Sequence, residues 1–209
     1  MGDRNWELWD RPGVVPKIEQ MWNTPLEIDH RDVLSRLSLK YLRDGDLFLE
    51  VGCGTGLMYK NLSKIAKIAY TGVDTSKEML RSARAAFPGV AFQEGDGYAL
   101  PFPDRSFDVV AAYDVLQHLP DIAGFIREMI RASRRTVLFT LLTADRSVRE
   151  DESILGNRFI VKWYSMAEAE AKVKEGAGEA TYEVIPILDK IREVIKSRSN
   201  LWVLTKKLA

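Results

Sequence analysis

Apolar positions come in two rhythms along this chain, and they alternate. Short continuous apolar runs fall at Leu47–Val51, Ile68–Val73, Val90–Phe92, Phe107–Ala112, Thr136–Leu142, Thr181–Ile185 and Leu201–Thr205. Runs this short and rich in β-branched and aromatic residues read as strands buried on both faces. Between them the apolar residues recur at three- and four-residue spacing, which reads as helix. Thr24-Pro25-Leu26-Glu27 starts one helix: threonine stands at the cap, proline at the first helical position, glutamate three residues on. Leu26, Val33, Leu34, Leu37 and Tyr41 give its apolar side. Further helices are expected from Leu57 to about Ala66, after the Thr75-Ser76-Lys77-Glu78 cap, after Pro120-Asp121, after Ser165, and from Ile187 to Ile195. Strand and helix in alternation mean an α/β fold built on a parallel sheet.

Two stretches carry neither rhythm. Residues 1 to about 22 read as irregular, with Trp6, Trp9 and Trp22 spread between prolines. Three indoles need an apolar surface; they either staple the N-terminus to the domain or form part of a lid. Thr143 to Phe159 is charged and aperiodic, and reads as a loop at the carboxyl end of the fifth strand, either specificity-bearing or a surface excursion.

Composition narrows the class. The 209 residues are 46% hydrophobic, with 30 Lys+Arg balancing 30 Asp+Glu. That suits one domain with a full core, spanning 1–209: an N-terminal cap and helix (1–45), a nucleotide-binding half (46–142), and a loop with closing strands (143–209). A zero formal charge disfavours nucleic acid as a partner. The single cysteine, Cys53, can form no internal disulfide, and no apolar run is long enough to span a bilayer. The expectation is a cytoplasmic protein with no membrane partner, its oligomeric state, monomer or homodimer, left open.

The candidate chemistry sits at the end of the first strand. LFLEVGCGTGLM, Leu47 to Met58, runs from an apolar strand through Gly52, Gly54 and Gly56 into a helix. Glycines allow a sharp turn and the close approach of a ligand, and a helix N-terminus offers free N–H groups. Glu50 precedes the triplet. About twenty residues on, Asp74 ends the second strand, where nucleotide-binding folds put the carboxylate that meets ribose hydroxyls; its plainer alternative is a turn residue.

EVGCGTG, VDTSKEML, GDGYALPF and SFDVVAAYDVLQHLPD, in this order and phase, resemble the motifs of the class I S-adenosylmethionine-dependent methyltransferases, closest to the small-molecule, quinone-biosynthesis-like branch. The resemblance implies a Rossmann-like, doubly wound, seven-stranded sheet, mostly parallel with an antiparallel last strand and helices on both faces. It implies S-adenosyl-L-methionine as cofactor, with Glu50, Gly52, Cys53, Gly54 and Gly56 at the methionine end. Asp74 and Thr75 then fall at the ribose, Asp96, Gly97 and Tyr98 at the adenine, and Tyr113 and Asp114 beside the ammonium. It implies a small-molecule methyl acceptor and no metal. His118, one turn beyond, is the candidate base, because histidine titrates near neutrality; otherwise it caps or packs locally. His30 reads as a hydrogen-bonded histidine, and Arg127, Arg131, Arg134 and Arg135 as a solvated helix end. Two other classes stay open: a nicotinamide-dependent oxidoreductase, disfavoured by Leu57 where its fingerprint needs glycine, and a non-catalytic binder of the same cofactor acting as regulator or partner subunit.

Overall fold

The computed structural model describes residues 5–187 and 198–206. In chain order the helices are α1 (Val14–Trp22), α2 (Pro25–Leu39), α3 (Leu57–Leu62), α4 (Lys77–Ala86), α5 (Ile122–Ala132) and α6 (Met166–Ala177). The strands are β1 (Leu47–Val51), β2 (Ala69–Asp74), β3 (Ala91–Glu94), β4 (Phe107–Ala112), β5 (Ser133–Thr143), β6 (Val148–Ile154), β7 (Asn157–Trp163), β8 (Thr181–Ile187) and β9 (Arg198–Thr205). Short 3₁₀ turns cover Asn5–Asp10 and Leu116–His118.

Seven strands join in the order β3-β2-β1-β4-β5-β9-β8, and β9 alone runs antiparallel to its neighbours β5 and β8. Chain order reverses between β1 and β4, so the carboxyl ends of those strands open onto a crevice where ligands of such sheets bind. The expected doubly wound sheet with an antiparallel last strand is therefore present.

Successive residues on each central strand point to opposite faces, and both faces are covered. Leu49, Val110, Phe139 and Trp202 enter a core under α5 and α6. Their neighbours Phe48, Val109, Leu138 and Val203 enter a second core with Leu34 of α2, Leu62 of α3 and Leu80 of α4. This two-sided burial explains why the strands read as continuous apolar runs.

Helix caps follow the sequence closely. Thr24 accepts from the Glu27 N–H, Ser165 from Glu168 N–H, and Asp121 from both Ala123 and Gly124. At α4 the cap is Ser76, one residue later than expected, with its hydroxyl accepting from Met79 N–H. On α2 the buried face carries His30, Leu34, Ser35 and Ser38, while Leu26 is exposed, so the inner face is rotated from the apolar stripe.

Three expectations are corrected. The N-terminal stretch is not irregular: α1 forms because Val14, Val15 and Ile18 bury together, and Pro16 lies in the first turn, where no N–H partner is needed. Residues 143–159 are not a loop: β6 and β7 pair as an antiparallel hairpin in full register, Val148↔Trp163 to Ile154↔Asn157. Leu155 and Gly156 make its turn, both with positive φ, the twist that hairpins favour. The pattern hid this strand because β6 is exposed along nearly its whole length, with only Ile154 buried. The arginine cluster is a solvated end only in part: Arg127 and Arg134 are exposed, while Arg131 and Arg135 are half-buried in ion pairs. Arg131 donates to Asp104 and Glu128, Arg134 to Asp108, and Arg135 to Asp46. The helix expected over Ile187–Ile195 lies outside the described residues beyond Ile187, which ends β8.

Candidate functional site

A cavity of about 470 Å³ lies over the carboxyl ends of β1, β2 and β4. Its floor is the glycine turn. Gly52 N–H and Cys53 N–H both donate to the Val73 carbonyl, at 2.7 and 3.0 Å, which ties the turn to the end of β2. Gly52 has φ 76°, and a Cβ there would stand 2.4 Å from Val115 Cγ2, so only glycine fits. Gly54 faces Trp22 across the opening. Gly56 is not at the cavity; it caps α3 in the left-handed region and lets Phe87 and Phe92 close against the turn. Cys53 lines the cavity, but its thiol is buried and burial pushes its pKa well up, so it acts as packing rather than as a nucleophile.

Two carboxylates flank the turn. Glu50 is 2% exposed, and the Tyr70 hydroxyl donates to its Oε2 at 2.5 Å. Burial lifts its pKa to about 8; the Tyr70 hydrogen bond opposes this, and the charges of Asp74 and Asp114 add to it. Asp74 accepts from Gly54 N–H at 2.8 Å and from Ser76 N–H at 2.9 Å. Burial raises its pKa against those N–H bonds. A carboxylate offers about four lone-pair positions, so Asp74, which lines the cavity beside Thr75, can hold the turn and still accept from a ligand.

The remaining predicted residues gather from three other segments. After β3, Asp96 accepts from Tyr98 N–H at 2.9 Å, and the Tyr98 hydroxyl donates to the Asp121 carbonyl at 2.9 Å. A Cβ on Gly97 would fall 2.1 Å from Phe125 Cε2. After β4, Tyr113 turns its hydroxyl away to Ser38 Oγ at 2.9 Å. Asp114 holds a positive φ of 54°, with its N–H donating to Thr140 Oγ1 and its carboxylate 3.2 Å from His30 Nε2. His30, which read as hydrogen-bonded, is 2% exposed and lines the cavity through this pair.

His118 Nδ1 lies 2.8 Å from the Ile160 carbonyl. A carbonyl only accepts, so Nδ1 carries the hydrogen and Nε2 presents its lone pair. Burial lowers the ring's pKa from 6.5, which keeps it neutral. Its ring contacts Trp9 and Phe159 at centroid distances of 6.0 and 5.7 Å.

These rings belong to a roof. Leu8, Val14, Val15, Ile18, Met79 and Ile154 form a separate small core, with Trp9, Trp22 and Phe159 packed on it. It joins the N-terminal segment to the hairpin. Arg11 donates to Asn157 Oδ1 at 2.8 Å, and Ser76 Oγ and Glu78 N–H donate to Asp10. Trp9 and Trp22 therefore act both as staple and as cavity wall; the Trp6 side chain lies outside the described residues.

Sequence reasoning missed several lining residues, Arg31, Thr55, Glu152 and Phe159 among them. Arg31 of α2 is the one Lys or Arg among the described lining residues; it donates to the Trp22 carbonyl at 2.5 Å and faces Glu27. Thr55 Oγ1 and Gln117 Oε1 are buried without a hydrogen-bond partner. A polar atom buried without a partner costs about 1–3 kcal/mol, and a ligand in the cavity would supply one. The signal for Thr55 was present, since it lies within a motif; Arg31 gave none, being one arginine on a polar helix.

The cavity thus offers acids, backbone N–H groups and one guanidinium to a ligand carrying hydroxyls, amines and a carboxylate. That donor set, the glycine cradle and the two orphaned oxygens fit S-adenosylmethionine.

Comparison with known proteins agrees. Residues 49–140 match the family described as methyltransferase domain. An uncharacterized methyltransferase of Schizosaccharomyces pombe is 32% identical over 142 residues, covering 61% of this chain and 49% of that protein. A demethylmenaquinone methyltransferase of Chlorobaculum tepidum is 40% identical over 83 residues, covering 40% of this chain and 34% of that protein. The chain thus spans half or less of the length of these two relatives. Among solved structures, the magnesium protoporphyrin IX methyltransferase of Synechocystis, with bound S-adenosylhomocysteine, has a TM-score of 0.69 at 14% identity, covering 97% of this chain and 98% of that one, a likeness of fold.

Proposed function

We propose that the chain, whose residues 49–140 match the family described as methyltransferase domain, is a class I S-adenosylmethionine-dependent methyltransferase that transfers a methyl group in line to a small-molecule acceptor. The observation that carries this reading is the cavity itself. A glycine cradle, the buried carboxyl of Glu50, the half-buried one of Asp74 and two orphaned oxygens meet where the sheet reverses its winding.

When bound, the cofactor supplies an electrophilic methyl on a positive sulfur. The chain's own residues bind, orient and exclude water, which is most of what such a displacement requires. Glu50 and the Gly52–Gly54 turn take the methionine end, with Arg31 facing the carboxylate. Asp74 and Thr75 take the ribose; Asp96, Gly97 and Tyr98 take the adenine; the backbone at Tyr113 and Asp114 takes the ammonium. The roof of Trp9, Trp22 and Phe159 keeps water out. His118 receives the acceptor's proton at Nε2, while its bond to Ile160 fixes the tautomer. The chain works as one unit over 1–209, with residues 1–45 and the hairpin serving as cover and residues 46–142 as the cofactor-binding half. Among the described residues no helix is long and apolar enough to cross a membrane.

Calorimetry with S-adenosylhomocysteine and with NADH tests the first half of the reading. Binding of S-adenosylhomocysteine is expected, and tight NADH binding without it would overturn the assignment. Labelled S-adenosylmethionine incubated with acceptor panels and cell extract tests the second half. Good cofactor binding with no transfer to anything would favour a non-catalytic binding role.

A further inference from the structure

The acceptor end of the cavity carries a chemical preference. Glu152 is the one carboxylate that the hairpin brings to the cavity lining, and Arg31, the one guanidinium among the described lining residues, sits on α2 against Glu27. A carboxylate there repels an anionic acceptor and attracts a cationic one.

The hairpin sharpens the point. Glu152 and Phe159 are direct partners across β6 and β7, so their side chains share one face, and both line the cavity. Phe159 closes a ring triangle with Trp9, 5.8 Å away, and His118. A carboxylate beside an aromatic wall is how proteins hold an ammonium. Gln117, 6% exposed, also lines the cavity, and its Oε1 is buried without a hydrogen-bond partner. An acceptor atom in that position needs an N–H or O–H donor.

We propose that the methyl acceptor is an amine on an apolar body about one aromatic ring in size, seated between Glu152, Gln117 and the Trp9–Phe159–His118 wall. This rests on the methyl-transfer reading. The amine arrives protonated and donates to Gln117 Oε1 and Glu152. One N–H proton passes to His118 Nε2. The freed nitrogen lone pair forms the new N–C bond as the S–C bond breaks, and that electron pair stays on sulfur, which becomes a neutral thioether. The product leaves as a methylated ammonium, and His118 returns its proton to water.

The test uses the full chain saturated with S-adenosylhomocysteine, titrated calorimetrically with phenethylamine, 2-phenylethanol and phenylacetate, three probes with one ring and different head groups. Phenethylamine should bind at least about ten-fold tighter than either other probe, the scale of one ammonium–carboxylate–aromatic site. Glu152→Gln should remove most of that preference and leave S-adenosylhomocysteine affinity unchanged. With labelled S-adenosylmethionine, N-methylphenethylamine should form and no methyl ester of phenylacetate. The proposal is overturned if the alcohol or the acid binds as well as the amine, if none of the three binds at millimolar concentration, or if Glu152→Gln changes nothing. Failure of S-adenosylhomocysteine itself to bind would instead refute the methyl-transfer reading on which the proposal stands.

Discussion

If Glu50 meets the cofactor as proposed, binding in the cavity is coupled to a proton, and Glu50→Gln is the perturbation that exposes it. The carboxyl is buried against Tyr70, and its pKa is lifted from 4.5 to about 8. At about 1.36 kcal/mol per pH unit, that lift disfavours the ionised form by roughly 5 kcal/mol relative to water. The sign follows from linkage. The folded state holds this proton more tightly than the unfolded chain, so stability is highest below pH 4.5, falls as pH rises from 4.5 to about 8, and is flat above that. A ligand cation beside Glu50 reverses the preference, because the ionised form then gains a partner.

Donor binding near pH 6.5 should therefore release about one proton, and the dissociation constant should fall by up to about ten-fold per pH unit below pH 8. Calorimetry of S-adenosylhomocysteine in buffers of different ionisation enthalpy reads the proton count directly. Urea melts between pH 5 and pH 9 read the stability slope. Glutamine keeps an oxygen to accept from Tyr70 and cannot ionise, so Glu50→Gln should flatten both profiles and weaken binding most at pH 8. A wild-type dissociation constant that is flat from pH 6 to 8, with no proton released, would refute the reasoning.

The other expectations concern single residues. Arg31→Gln should weaken S-adenosylhomocysteine by about ten-fold, the size of one charged hydrogen bond, yet leave methylthioadenosine, which lacks the carboxylate, unchanged; equal losses for both ligands would mean that Arg31 acts only through Trp22. His118→Ala should lower kcat by about 10²-fold or more with unchanged donor affinity, and a fully active variant rejects the base. Asp74→Ala should weaken the donor by a few kcal/mol at most, measured by calorimetry, because it removes both a ligand contact and the Gly54 N–H partner. Gly97→Ala should destabilise by about 1–3 kcal/mol in urea melts, the usual cost of overpacking, because its Cβ meets the Phe125 ring.

What could be read from the sequence follows from where each residue's partners lie. β1 and its glycine turn are legible because their constraint is local. A strand buried on both faces must be apolar throughout, and Gly52 has no alternative next to Val115. The caps Thr24, Asp121 and Ser165 are legible for the same reason, since each bonds within three residues of itself. The roof is illegible because its partners are distant. Leu8 and Val14 acquire a core only when Ile154 and Met79 arrive from elsewhere in the chain. β6 reads as loop because its apolar surface is a single residue, and its order comes from β7. The arginines at the end of α5 and just beyond read as a surface cluster because their partners Asp104, Asp108 and Asp46 precede them by 26 or more residues in the chain.

That division coincides with the functional one. The cofactor half is built from short-range constraints, so it repeats as motifs and can be recognised. The wall proposed for the acceptor is assembled from the 3₁₀ turn at Asn5–Asp10, the turn after β4, and a hairpin, three segments far apart in sequence, each nearly without pattern on its own. Glu152 shows the consequence. In the sequence it is one acid among several in a charged stretch; in the fold it is the cross-strand neighbour of Phe159, facing the cavity beside a neutral histidine. On the proposed reading, a side chain acquires specificity-determining chemistry here through register rather than through its flanking residues. Moving the hairpin turn by one residue would swing Glu152 and Phe159 to the outer face together and remove the acceptor wall, while every cofactor motif remained in place.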